Sequence, residues 1–302
     1  MSDPFHDLEE VITADVTRAL QEDVGHGDLT AALIPAQTHG HAGVITRQDC
    51  VVAGREWFER CYTELDPDCE IFWHCKDGDN ALANTSLCEV QGKARALLTA
   101  ERSSLNFLQL LSAVATKTRA FVDAVKGTHA RILDTRKTLP GLRMAQKYAV
   151  RAGGGFNHRI GLFDGILIKE NHIVAAGGVA AALRAAFDLV KHDAPASTMI
   201  EIEVETLDQL RAALDCGCKL VLLDNFTLDK MREAVQITTK FGDSGSELEA
   251  SGGVSLQTVR AIAETGVQRI SVGSLTKDIK AIDLSLRFGT HENSASRISA
   301  RI

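Results

Sequence analysis

In the first third of the chain the spacing of apolar residues keeps changing, whereas the rest settles into one rhythm. Leu8, Val11, Ile12, Val16 and Leu20 recur along one helix face, which predicts an amphipathic helix over 6–22. Residues 41–46, 70–74 and 89–98 alternate or are rich in β-formers and predict strands, with a helix-like stretch over 55–65. Lys76-Asp77-Gly78-Asp79-Asn80 reads as a turn. The Leu- and Ala-rich stretch 100–125 predicts a long connecting helix.

Beyond it, short apolar strands are expected at 131–133, 165–168, 199–204, 220–223, 248–250 and 269–272. Amphipathic helices over 180–190, 207–214, 228–239 and 256–264 lie between most of them, a pattern of βαβ units and a parallel sheet. An open doubly wound sheet and a closed barrel both fit that rhythm. Polar residues cluster where the strands end: Asp134 to Lys137, Lys169 to His172, Glu203 and Glu205, Asp224-Asn225, Ser251 to Gly253, and Gly273-Ser274. A doubly wound sheet gathers its ligand residues at one or two switch points. A barrel builds its site at the mouth from many strands, so the distribution favours the barrel.

Composition narrows the class. The 302 residues include 45% hydrophobic and 24% charged side chains, 24 Gly and only 5 Pro, as in an ordered globular enzyme. No apolar run approaches the roughly 18 residues that span a bilayer, so no membrane partner is expected. The acidic start, MSDPFHDLEEVITADV, lacks a signal-peptide pattern and points to the cytoplasm. The seven cysteines are scattered, and Cys216-Gly217-Cys218 lacks the second pair a zinc site needs, so free thiols are expected.

Charge is distributed unevenly. The formal net charge is -7, yet 131–172 carries Arg131, Arg136, Lys137, Arg143, Lys147, Arg151, Arg159 and Lys169 against Asp134, Asp164 and Glu170. A nucleic-acid surface would tilt the whole domain basic, so the cluster implies a small, strongly anionic ligand and no nucleic-acid partner. Arg136 and Arg159 offer planar forks for carboxylate or phosphate, and Lys137 and Lys169 offer point charges. Arg143, Lys147 and Arg151 recur every four residues and read as a solvated or dimer-facing helix surface.

Gly153-Gly154-Gly155 precedes the loop presenting His158 and Arg159. The loops Ser251-Gly252-Gly253 and Gly273-Ser274 each follow a strand, where backbone N–H groups can cradle phosphate. Neither a Walker A nor a GxGxxG pattern occurs, which removes the main support for ATPase and dinucleotide readings. Glu201, Glu203 and Glu205 share one strand face and Asp224 closes the next strand, a set that suits Mg²⁺ or internal pairing with Lys169. The histidines at 6, 26, 39, 41, 74, 129 and 192 have no partner pattern and read as ordinary surface or loop residues.

TRKTLPGLR, GGGFNHRIGLFDGILIKENHI, IEIEVETL, VLLDNF, LEASGG and ISVGSLTK, in this order, closely resemble the quinolinate phosphoribosyltransferase family. The similarity runs from EDVGHGDLT near Glu22 to AIDLSLRF ending at Phe288, nearly the whole chain. The resemblance implies an open (β/α) barrel with fewer than eight strands and a smaller N-terminal α+β sandwich-like domain. It places them at 117–280 and 1–116, with about 281–302 returning to the N-terminal domain. It also implies a homodimer in which Arg102, from ERSSLNFL, completes the partner's site.

By the same resemblance Arg136, His158 and Arg159 bind quinolinate, with Thr135 beside Arg136, and Lys137 and Lys169 lie between the two substrates. Glu203 and Asp224 match the family's Mg²⁺ and phosphoribosyl pyrophosphate site, and Ser251, Gly252, Gly253, Gly273 and Ser274 match its phosphate loops. Lys137, Lys169, Glu203 and Asp224 are the expected catalytic residues. The implied activity is phosphoribosyl transfer to quinolinate with decarboxylation, giving nicotinate mononucleotide, pyrophosphate and CO₂. Two alternatives stay open: a related enzyme using nicotinate or another base without decarboxylation, and a non-catalytic binder of phosphate ligands.

Overall fold

The computed structural model describes residue 5 and residues 7–195, 197–241 and 245–289. Position 6, expected to begin the first helix, and 290–302, expected to return to the N-terminal domain, lie outside the described residues. Helix α1 (Leu8–Val24) buries Ile12, Asp15, Val16 and Leu20. Then come β1 (His39–Thr46), β2 (Cys50–Val51), α2 (Arg55–Thr63), β3 (Glu70–Trp73), β4 (Asn80–Ala81) and β5 (Ser86–Lys93). Helix α3 (Ala94–Ala124) starts directly after β5, so 94–98, expected as strand, is instead its first turn. Ala94, Arg95, Ala96, Leu97 and Leu98 are strong helix formers, and that propensity overrides the alternation.

The remaining elements are β6 (Arg131–Leu133), α4 (Arg143–Ala152), β7 (Gly165–Ile168), α5 (Glu170–Ala176), α6 (Val179–His192), β8 (Met199–Val204), α7 (Leu207–Asp215) and β9 (Leu220–Asp224). After them follow α8 (Leu228–Lys240), β10 (Glu247–Ser251), α9 (Val259–Ala263), β11 (Arg269–Ser271), α10 (Ser274–Lys277) and β12 (Leu284–Gly289). The described residues group into two compact units, one of 5–117, 140–154 and 278–289, the other of 118–139 and 155–277.

The first unit holds an antiparallel sheet in the order β12-β1-β5-β3. The C-terminal strand pairs with β1 from His41↔Gly289 to Thr46↔Leu284. Trp57, Phe58, Tyr62, Leu97, Leu108 and Leu111 are fully buried in its core. Two polar side chains of this core are matched: Trp57 Nε1 donates to Asp15 Oδ2 at 3.1 Å, and Tyr148 Oη donates to Asp77 Oδ2 at 2.8 Å. Tyr148 lies on α4 and packs its ring 5.3 Å from Trp57, which explains why 140–154 groups with this unit. The expectation that Lys147 is on a solvated face fails, because α4 buries Ala145, Gln146, Lys147, Ala149 and Val150. Arg151 of the same helix is exposed.

The second unit is a six-stranded sheet in the order β6-β11-β10-β9-β8-β7, parallel at every pairing. Buried Ile132, Leu133, Ile202, Val221, Leu223, Ala250 and Ile270 give the near-continuous apolar strands of a sheet covered on both faces. The sheet curls as an open barrel. Glu201 of β8 and Glu249 of β10 flank β9 yet share a cluster with His158 in which the ligand atoms lie within 4.8 Å of one another. Interior layers of a barrel are built in this way, by residues from alternate strands. A parallel bridge, Leu133↔Phe156, extends the β6 edge. Among the described residues no single helix is long and apolar enough to cross a membrane.

Candidate active site at the strand ends

The first cationic limb begins at the end of β6. Thr135 Oγ1 accepts the Lys137 N–H at 3.1 Å, folding the backbone back on itself, and the Lys137 carbonyl accepts from Thr276 Oγ1 at 2.8 Å. The neighbouring β11–α10 turn packs closely here. A Cβ on Gly273 would lie 3.3 Å from Lys137 Cδ and 3.5 Å from Thr135 Oγ1, so the small residue lets the two loops meet. Arg136 and Thr135 are half-buried and Lys137 is exposed. Arg131, expected in the same basic cluster, instead pairs with Glu247, a structural contact between β6 and β10.

The second limb is the loop 156–164. The Asp164 carboxylate accepts the N–H groups of Ile160 at 2.7 Å and Gly161 at 2.8 Å, closing a tight turn. Leu162 and Phe163 stand exposed at its tip. Arg159 Nη1 donates to the Gly165 carbonyl at 2.8 Å. Burial lowers the pKa of Arg159 and the charge of Arg136 lowers it further, while Asp164 and Glu201 oppose them.

His158 precedes Arg159 on this loop. Its ring is buried, with Nε2 2.8 Å from Glu201 Oε2 and 3.7 Å from Glu249 Oε1. Nδ1 accepts the Arg159 N–H at 2.8 Å. Both ring nitrogens are therefore engaged by protein. Burial opposes charging of His158, but the hydrogen bond to Glu201 and the charges of Glu249 and Glu201 outweigh it and raise its pKa. His158, Glu201 and Glu249 also have the donor types of a metal site. Arg269 Nε already lies 2.8 Å from Glu249 Oε2 and supplies positive charge there, which disfavours a further cation.

The carboxylates of the mouth come from β8 and β9. Glu203 shares the inward face of β8 with Glu201, and its Oε2 lies 3.6 Å from Lys169 Nζ. Lys169 caps α5, where its N–H meets His172 Nδ1 at 3.0 Å. Burial raises the pKa of Glu203, Asp224 and Glu170 raise it further, and Lys169 opposes them. Two carboxylates at neighbouring strand ends are groups that could hold a divalent cation. Glu205, beyond the strand, is exposed.

Asp224 and Ser251 are register partners on β9 and β10, and the Asn225 N–H donates to the Ser251 carbonyl at 3.1 Å. Gly252 has φ +100°, and a Cβ there would overlap Asn225 Oδ1, so this loop requires glycine. Gly253 also has positive φ. Ser274 begins α10 directly after Gly273. Arg102 belongs to the other unit, exposed on α3 beside a cavity of about 320 Å³ lined also by Asp15, Arg18, Glu22 and Asn106.

Sequence reasoning missed Asp134. It is fully buried, and its carboxylate accepts from His158 N–H at 2.9 Å and Asn157 Nδ2 at 2.6 Å, tying the two cationic limbs together. The available signal was a lone acid at the end of an apolar strand within a basic stretch.

Comparison with known proteins identifies the family of the chain. Residues 28–112 match the model of the quinolinate phosphoribosyl transferase N-terminal domain, and 114–287 match that of the C-terminal domain. The chain is 43% identical to a nicotinate-nucleotide pyrophosphorylase [carboxylating] of Mycobacterium leprae, over 90% of this chain and 95% of that protein. It is 40% identical to a probable nicotinate-nucleotide pyrophosphorylase [carboxylating] of Bacillus subtilis, covering 88% of this chain and 89% of the other. The solved nicotinate-nucleotide pyrophosphorylase of Francisella tularensis superposes with a TM-score of 0.87 at 43% identity, covering 93% of this chain and 96% of that one.

Proposed function

The chain belongs to the quinolinate phosphoribosyltransferase family, and on that premise we propose how its strand-end residues carry the reaction. The enzyme transfers a phosphoribosyl group from phosphoribosyl pyrophosphate to quinolinate with loss of CO₂, forming nicotinate mononucleotide for NAD biosynthesis. The observation that carries the site assignment is the 2.9 Å bond from the His158 N–H to Asp134, which ties the strand end carrying Arg136 to the loop carrying Arg159, two half-buried guanidinium groups suited to a dicarboxylate.

Arg136 and Arg159 grip the quinolinate carboxylates, aided by Thr135 and by the charges of Lys137 and Lys169. The loops Ser251-Gly252-Gly253 and Gly273-Ser274 offer backbone N–H groups to the phosphates of the second substrate. Glu203 and Asp224 would hold Mg²⁺, which would supply neutralisation of pyrophosphate charge. The pyridine nitrogen attacks the ribosyl C1 as pyrophosphate leaves. The carbon acquires oxocarbenium character, and the nearby carboxylates Glu203 and Asp224 stabilise it electrostatically. The new pyridinium ring is an electron sink, so the adjacent carboxylate departs as CO₂ and the ring carbon takes a proton. Fixing the dianion supplies mainly orientation, worth several kcal/mol in favourable cases, roughly 7–11 kcal/mol at the upper limit.

In this reading the protein acts as a homodimer, with exposed Arg102 completing the partner's pocket. The cytoplasm is the proposed location, supported by seven cysteines that are all free. A CO₂-release assay with quinolinate, phosphoribosyl pyrophosphate and Mg²⁺ tests the function. One CO₂ per pyrophosphate is expected. Turnover of nicotinate without CO₂, or binding without turnover, contradicts it.

A further inference from the structure

Beneath the mouth of the barrel lies a buried ionic layer that the reaction does not use directly. Glu201 and Glu249 are fully buried, His158 nearly so, and Arg269 borders them. We propose that Glu201 is a positioning residue for Arg159, acting through the His158 ring.

The hydrogen bonds give the direction of the effect. The Arg159 N–H points at His158 Nδ1, 2.8 Å away, so that nitrogen presents its lone pair. The ring proton is then on Nε2, where Glu201 Oε2 accepts it at 2.8 Å. Asp134 Oδ1 holds the His158 N–H at 2.9 Å, so the residue is fixed at its backbone and at both ring nitrogens. Glu249 is held in turn by Arg269 Nε at 2.8 Å, which keeps the second acid in place beside the first. Removing the acceptor at Glu201 frees the ring to rotate. The Arg159 amide then loses its partner, and the loop that carries the guanidinium group loses an anchor. Strand parity gives β8 two tasks. Glu203 faces the mouth, and Glu201, two residues earlier on the same face, aims the loop between α4 and β7.

The inference rests on Arg159 binding a quinolinate carboxylate. The test compares Glu201→Gln, whose amide oxygen can still accept from Nε2, with Glu201→Leu, which cannot. Steady-state KM values for quinolinate and for phosphoribosyl pyrophosphate are measured separately, with Arg159→Ala as a control. Glu201→Leu should raise the quinolinate KM by about tenfold to a hundredfold, as small misplacements of binding groups do, and leave the other KM within about twofold. Glu201→Gln should restore the quinolinate KM to within about threefold of the unmodified enzyme, because the orienting acceptor is retained. If Glu201→Leu does not fold, His158→Gln takes its place: it can still reach Glu201 but offers no acceptor at the Nδ1 position, and should show the same selective rise. A rise of both KM values together, or an unchanged quinolinate KM, overturns the inference. An unchanged quinolinate KM in Arg159→Ala instead overturns the assignment of Arg159 itself.

Discussion

Asp134 Oδ1 accepts the backbone N–H of His158 at 2.9 Å, so one buried carboxylate joins the end of β6 to the start of the Arg159 loop. The same side chain takes Asn157 Nδ2 at 2.6 Å. Asp134→Ala would leave two donors without this acceptor in a buried place. Lost stability of about 1–3 kcal/mol is expected, the cost of leaving the buried His158 N–H unsatisfied, with a smaller addition from half-buried Asn157. Urea unfolding measures it, and a loss below about 0.5 kcal/mol contradicts the assigned clamp.

Gly252 tests the loop after β10. Its φ of +100° and the overlap a Cβ would make with Asn225 Oδ1 mean that Gly252→Ala must move the loop. The KM for phosphoribosyl pyrophosphate should rise about tenfold or more while the quinolinate KM changes little, since a displaced cradle costs phosphate contacts. Equal rises in both would show that the loop does not serve the phosphates alone.

Asp28 gives a pH-dependent expectation outside the site. The Ala31 N–H chiefly lowers its pKa, with further help from Thr99 and Thr30. The three bonds are each 2.9 Å. A carboxyl with a depressed folded pKa contributes stability above its unfolded value of about 3.9, and this is lost as pH falls through the folded value. Thermal melts should therefore separate the unmodified protein from Asp28→Asn at neutral pH and converge under acid conditions. A gap that persists at low pH argues against this origin.

The thiols should be unreactive where they are buried. Burial pushes Cys61 up to about 12 and Cys218 up to about 11, and Cys50 and Cys88 are raised by the same cause. Thiolate is the reactive form, so these four should resist alkylation in the native protein and label after denaturation. Mass spectrometry of the labelled peptides decides it, and rapid native labelling of Cys61 contradicts the buried placement.

Much of the fold is written in the periodicity. Strands such as 199–204 and 165–168 are apolar enough to be located alone, and their polar ends already outline the mouth. What escapes a linear reading depends on partners distant in the chain. Lys147 shares the four-residue spacing of Arg143 and Arg151, and only the packing of α4 distinguishes its burial from their greater accessibility. The partner of the His158 ring, Glu201, lies 43 positions away and could not be read from local spacing. The stretch 94–98 fails for a local reason, since its alternation and its helix propensity conflict and the helix prevails.

The central claim is that Arg136 and Arg159 form the dicarboxylate pocket, and the kinetics of Arg136→Ala test it most directly. Losing a charge-assisted fork should cost about 1.5–3 kcal/mol, a rise of roughly tenfold to a hundredfold in quinolinate KM with lowered turnover. The KM for phosphoribosyl pyrophosphate should stay within about twofold, because Arg136 does not serve that substrate in this account. Unchanged quinolinate kinetics in Arg136→Ala would contradict it.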